Sequence, residues 1–154
     1  MIRKLMTVTL VTALVGVAAP SFAQSDIIEL LRSDIATQKK ALMTQAMNMT
    51  EAESDVFWPI YNEYQNELRK IGDERIALIK EYADSYESMT DETAADITKR
   101  AIKQQEDRLK LYKKYNGKLA KAVSPRFAAR WVQTEHAINT MIDVQIASEM
   151  PLMK

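Results

Sequence analysis

The stretch "FWPIYNEYQNELRKIGDERIALIKEY", Phe57 to Tyr82, decides the fold. Its apolar positions step 57, 61, 64, 68, 71, 75, 78 and 82, alternately four and three residues apart, and only Arg75 interrupts the series. Steps of three and four keep one face of an α-helix turned toward one partner, as in a heptad seam. Just upstream, Thr50-Glu51-Ala52-Glu53 has the form of a capping box. The threonine hydroxyl can accept from the Glu53 backbone N–H while the Glu53 carboxylate reaches back to the cap. A helix from about residue 51 to 86 follows, with Pro59 as its anomaly. A proline there cannot donate to the Asp55 carbonyl, its ring crowds that carbonyl, and it disfavours helical geometry at Trp58. The expectation is a short helical piece at the cap and a long helix kinked or restarted at Pro59.

The same logic extends in both directions. Met89-Thr90-Asp91-Glu92 repeats the pattern of apolar residue, threonine cap and acidic first turn, which suits the positive end of a helix dipole. It opens a helix over about 91–123 whose expected buried stripe is Ala94, Ile97, Ala101, Leu109, Tyr112, Tyr115, Leu119 and Ala122. Ser124-Pro125 supplies a cap and an N1 proline for a last helix to about residue 148, with Ala128, Trp131, Ile138, Ile142 and Ile146 inward. The first helix, 27–47, is capped at Ser25 or Asp26 and turns Ile28, Leu31, Ile35, Leu42 and Ala46 inward. After residue 23 only Gly72, Gly117, Pro59, Pro125 and Pro151 serve turns, too few for a sheet-rich fold. The predicted class is all-α: four helices, a long antiparallel hairpin (51–86 and 91–123) with shorter first and last helices packed on it.

Arg3 and Lys4, the apolar run Leu5–Ala19 and the small-residue ending Ser21-Phe22-Ala23 have the form of a secretory signal. The expectation is cleavage after Ala23, export to the periplasm and no membrane span afterwards, leaving 24–154 as a single all-helical domain. Removing Arg3 and Lys4 from the 21 basic residues leaves 19 against 21 acidic ones, a balance that suggests neither nucleic acid nor anionic lipid as partner. The chain has no cysteine, so a domain in an oxidising compartment holds together without disulfides.

Catalysis finds little footing, and the reading is of a protein that is not an enzyme and needs no cofactor. There is no cysteine nucleophile and no glycine-rich phosphate loop, and the single histidine, His136, sits on the flank of its helix stripe. A Glu-x-x-His pair on each of two helices, as di-iron bundles require, is absent, as is Cys-x-x-Cys-His for covalent haem. Met43, Met47 and Met49 lie close in sequence; thioethers suit Cu(I), but such methionines also serve as adaptable core or groove residues.

Reflecting the two long helices about their turn near Ser88 brings Tyr61 and Tyr64 toward Tyr115 and Tyr112, with Phe57, Trp58, Phe127 and Trp131 at the same end. Eight aromatics therefore converge at the open end of the hairpin. They form either a core or a partly open cradle for apolar chain segments. In the cradle reading the contact residues are Trp58, Phe57, Tyr61, Met47 and Met49. Trp58 is off the seam and outermost, and Phe57, Tyr61 and Trp131 support it from beneath.

Two helix starts of the form apolar-Thr-x-x-polar, forty residues apart in an exported all-helical chain, resemble the periplasmic LTxxQ-motif (Spy/CpxP/ZraP-like) helical proteins. The matching residues are Met49-Thr50-Glu51-Ala52-Glu53 and Met89-Thr90-Asp91-Glu92-Thr93, with methionine for leucine and glutamate or threonine for glutamine. Phe57-Trp58-Pro59-Ile60-Tyr61 also looks like a signature of related exported helical proteins. The resemblance implies a periplasmic ATP-independent chaperone or envelope-stress adaptor, acting on proteins as a curved homodimer. Alternatives are a structural or regulatory partner of one dedicated envelope protein and, with no histidine-rich segment to support it, a metal-binding stress protein.

Overall fold

The computed structural model describes residues 37–153. The expected signal segment, the expected cap at Ser25 or Asp26 and the expected inward positions Ile28, Leu31 and Ile35 lie outside the described residues. The described helices are α1 (37–47), α2 (Glu51–Ser85), α3 (Asp91–Ala122) and α4 (Pro125–Glu149), and described residues 38–153 belong to one compact unit. Among the described residues there is no strand.

Each start obeys its cap. Thr50 Oγ1 accepts from Glu53 N, and Glu53 Oε2 accepts from Thr50 N at 2.9 Å, so the capping box is complete. Those bonds to Thr50 hold the Glu53 carboxyl below its ordinary pKa. Thr90 and Ser124 cap α3 and α4 through Thr93 N and Phe127 N. α1 stops at Met47, followed by Asn48 at φ 42°, a left-handed position that asparagine tolerates better than most residues. Arg130 Nη1 from α4 then donates to the terminal Met47 carbonyl at 2.7 Å. A single 3₁₀ turn, Tyr86–Ser88, closes the hairpin between α2 and α3.

The expected restart at Pro59 is not found: α2 runs unbroken through it. Asp55 and Pro59 are both exposed, so the carbonyl that loses its donor is on the water side of the helix. All eight positions of the α2 seam are buried or half-buried. Ion pairs Glu63–Lys118, Glu67–Lys114 and Glu81–Arg100 tie α2 to α3 at matching distances from the turn.

Four stripe residues differ from expectation. On α1, Leu42 and Ala46 are exposed, and the inward face holds Lys39, Met43 and Met47 instead. On α3, Leu109 and Ala122 are exposed. The stripe steps 97, 101, 104, 108, 111 and 115, so Gln104, Arg108 and Leu111 occupy the seam and Leu109 falls beside it. The polar members find partners: Gln104 Nε2 donates to the Ile71 carbonyl, and Arg108 pairs with Asp143 of α4.

Candidate functional site

The eight aromatics do meet. Tyr64 is the hub, with ring centroids 5.4 Å from Tyr115, 6.2 Å from Tyr112 and 5.1 Å from Trp131. Phe57 extends the cluster to Phe127 at 5.7 Å, to Tyr61 and to Trp58. Edge-to-face and offset stacking of this kind adds about 0.5–1.5 kcal/mol per pair beyond burial. Phe57, Tyr61, Tyr64, Tyr115, Phe127 and Trp131 are buried, so this end is a core. Of the five expected contact residues, Phe57, Tyr61 and Met47 lie inside it, while Trp58 and Met49 are half-buried at its margin. Lys40 of α1 places its ammonium 5.1 Å from the Trp58 ring centroid, a cation–π contact that covers part of the indole. Met43 and Met47 are fully buried, which makes them packing residues of the core.

Sequence reasoning missed what lies at the centre of that core. Glu135 of α4 is fully buried and forms an ion pair with Lys39 of α1, itself almost fully buried. Tyr64 OH donates to Glu135 Oε1 at 2.8 Å, Asn139 Nδ2 donates to it at 3.1 Å, and Tyr61 OH donates to Oε2 at 3.4 Å. Asn139 Nδ2 also reaches Tyr112 OH at 2.6 Å, and Asn139 Oδ1 accepts from Lys39 at 3.3 Å. Burial raises the Tyr61 and Tyr64 hydroxyls far above the usual tyrosine pKa, and the Glu135 charge adds to the effect. A charged pair inside an aromatic core is tolerable only when its hydrogen-bonding capacity is met, and here four side chains meet it. The network fixes how α1 and α4 seat against α2, its groups buried and engaged with one another. His136, next in sequence, is exposed.

The open apolar surface is at the other end. There α2, α3, the last turns of α4 and the tail residues 150–153 bound a groove of about 580 Å³, walled by Leu78, Ile79, Ile97, Ala101 and Ile146. Its charged lining is Arg75, Arg108 and Asp143. Arg75 Nη1 meets Asp143 Oδ1 at 2.5 Å, and Arg108 Nη2 meets Oδ2 at 2.9 Å. Burial pushes the Asp143 carboxyl up, but the two guanidinium groups outweigh it and hold the pKa below its ordinary value. Beyond α4 the chain turns extended at Met150 and lies along this groove. Tyr82 OH donates to the Pro151 carbonyl at 2.7 Å, and Tyr86 OH to the Leu152 carbonyl at 3.1 Å.

Among the described residues no group of three or more His, Cys, Asp or Glu side chains could hold a metal ion, and no helix is long and apolar enough to cross a membrane. No family model, no curated protein and no solved structure matches the chain.

Proposed function

We propose that this protein is an exported, ATP-independent binder of apolar polypeptide segments, of the chaperone-like or envelope-stress-adaptor kind. The observation that carries the reading is the groove at the closed end of the hairpin. It is apolar, accessible and of a size suited to several side chains, since ligand clefts span roughly 300–1,000 Å³. A segment of polypeptide already lies along it with main-chain carbonyls bonded to two tyrosines. Carbonyl recognition is indifferent to sequence, which suits a binder of many clients. The aromatic end contributes the rigid frame, with Trp58 and Met49 as its accessible margin. The charged groove residues Arg75, Arg108 and Asp143 keep the surface soluble and the interaction reversible.

The test is aggregation of a chemically denatured client, diluted into buffer and followed by light scattering. Suppression at several-fold molar excess of this protein, without nucleotide, is the expected result. Scattering that is unchanged at that excess refutes the reading and favours a dedicated envelope partner.

A further inference from the structure

The tail after α4 is held in an unusual way for a structural element. Among the described residues, hydroxyl-to-carbonyl bonds from Tyr82 to Pro151 and from Tyr86 to Leu152 position it. Its side chains add little: Leu152 is 89 % exposed, Pro151 is exposed and Met153 is 40 % exposed. Only Met150, at the mouth, is half-buried. Hydrogen bonds of this kind, each exchangeable with water, give the segment little net hold. The groove of which it forms one wall leaves Leu78, Ile79 and Ile146 only half-buried, so part of their apolar surface stays open with the tail in place.

We propose that this groove is a binding site for an extended apolar peptide segment, and that residues 150–153 are a strap along its edge, displaced when such a segment enters. The incoming chain offers its carbonyls to Tyr82 and Tyr86 and sinks bulky apolar side chains where the tail places none. The two arginines sharing one aspartate leave an excess positive charge on the lining, so an acidic flank on the incoming segment is favoured over a basic one. Tail and client then compete for one surface. This inference rests on the polypeptide-binding reading above.

A tail that covers the groove about nine-tenths of the time, as weak hydrogen bonds allow, lowers apparent affinity about tenfold. The experiment compares the full chain with a chain ended after Glu149, and uses a fluorescein-labelled peptide with an acidic flank and bulky apolar side chains, Glu-Glu-Leu-Val-Leu-Phe, as the probe in an anisotropy titration. The shortened chain is expected to bind the probe about tenfold more tightly. Met150→Ser, which keeps the tail but weakens its one apolar hold, is expected to shift affinity the same way by a smaller factor and guards against loss of fold on truncation. Ile79→Lys in the shortened chain is expected to abolish probe binding with helicity retained. Equal affinity of the full chain, the shortened chain and Met150→Ser overturns the inference. If the full chain still suppresses client aggregation in that case, the proposed function stands and only the tail's role falls. If no form binds the probe or suppresses aggregation, both fall together.

Discussion

Removing one partner of the Lys39–Glu135 pair should be among the most damaging single changes available in this protein. Glu135→Gln keeps shape and most of the acceptor geometry but strands the Lys39 ammonium in an aromatic core, a situation that typically costs about 3–5 kcal/mol. Lys39→Met keeps the apolar stem and removes the charge. Glu135 then retains Tyr64, Asn139 and Tyr61 as donors, so the loss is smaller, about 3 kcal/mol. The double variant restores neutrality and should cost less than the two singles combined by about 2 kcal/mol. Against a total of about 5–15 kcal/mol for a domain, either single change consumes a large part of the stability. Urea unfolding followed by far-ultraviolet circular dichroism gives all four corners of the cycle. Singles that each cost under about 1 kcal/mol, with no coupling, would mean that both groups are solvated and that α1 does not seat on α4 as described.

The two tryptophans should part company: Trp131→Ala should cost about 3–5 kcal/mol as a fully buried indole, and Trp58→Ala about 1 kcal/mol. An aqueous fluorescence quencher should reach Trp58 and spare Trp131; equal shielding of the two contradicts this. Thr50→Ala and Thr90→Ala should each lower stability by about 1 kcal/mol, and unchanged melting midpoints would show that these caps contribute nothing. Because the folded pKa values of Tyr61 and Tyr64 are raised, their contribution is fully present below about pH 10, where unfolded tyrosines hold their protons, and is lost as pH climbs above it. Stability should fall there by up to about 1.4 kcal/mol per pH unit for each, and a tyrosinate absorbance equal to all six tyrosines in a still-helical protein would refute the burial argument.

The hairpin was legible because its signals are local and redundant. The α2 seam, the threonine caps and Ser124-Pro125 each specify a boundary from a few neighbouring residues, and the structure places all of them within a residue or two. Tyr64 meeting Tyr112 and Tyr115 followed from reflecting positions about the turn. The buried pair was not read, because Lys and Glu are nearly always solvated and only a partner on a distant helix makes burial tolerable. A trace existed. The α4 stripe jumps seven residues from Trp131 to Ile138, and its three-and-four stepping passes through Glu135. On α1, stepping by four back from Met47 through Met43 arrives at Lys39. Hydrophobicity drew the reading to Leu42 and Leu109, whereas register puts polar residues inside. The groove had no sequence signal, since it arises from where α4 ends relative to the turn of the hairpin.

Photo-crosslinking most directly tests the claim that apolar segments enter at the closed end of the hairpin. A photoreactive side chain is placed at Ile79 on the groove wall and, in a second protein, at Leu109, which is equally apolar but exposed on α3 beside the seam. With a denatured client present, the expected result is strong crosslinking from position 79 and only background from position 109. Equal yields from the two positions, or none from position 79 while aggregation is still suppressed, would contradict the account.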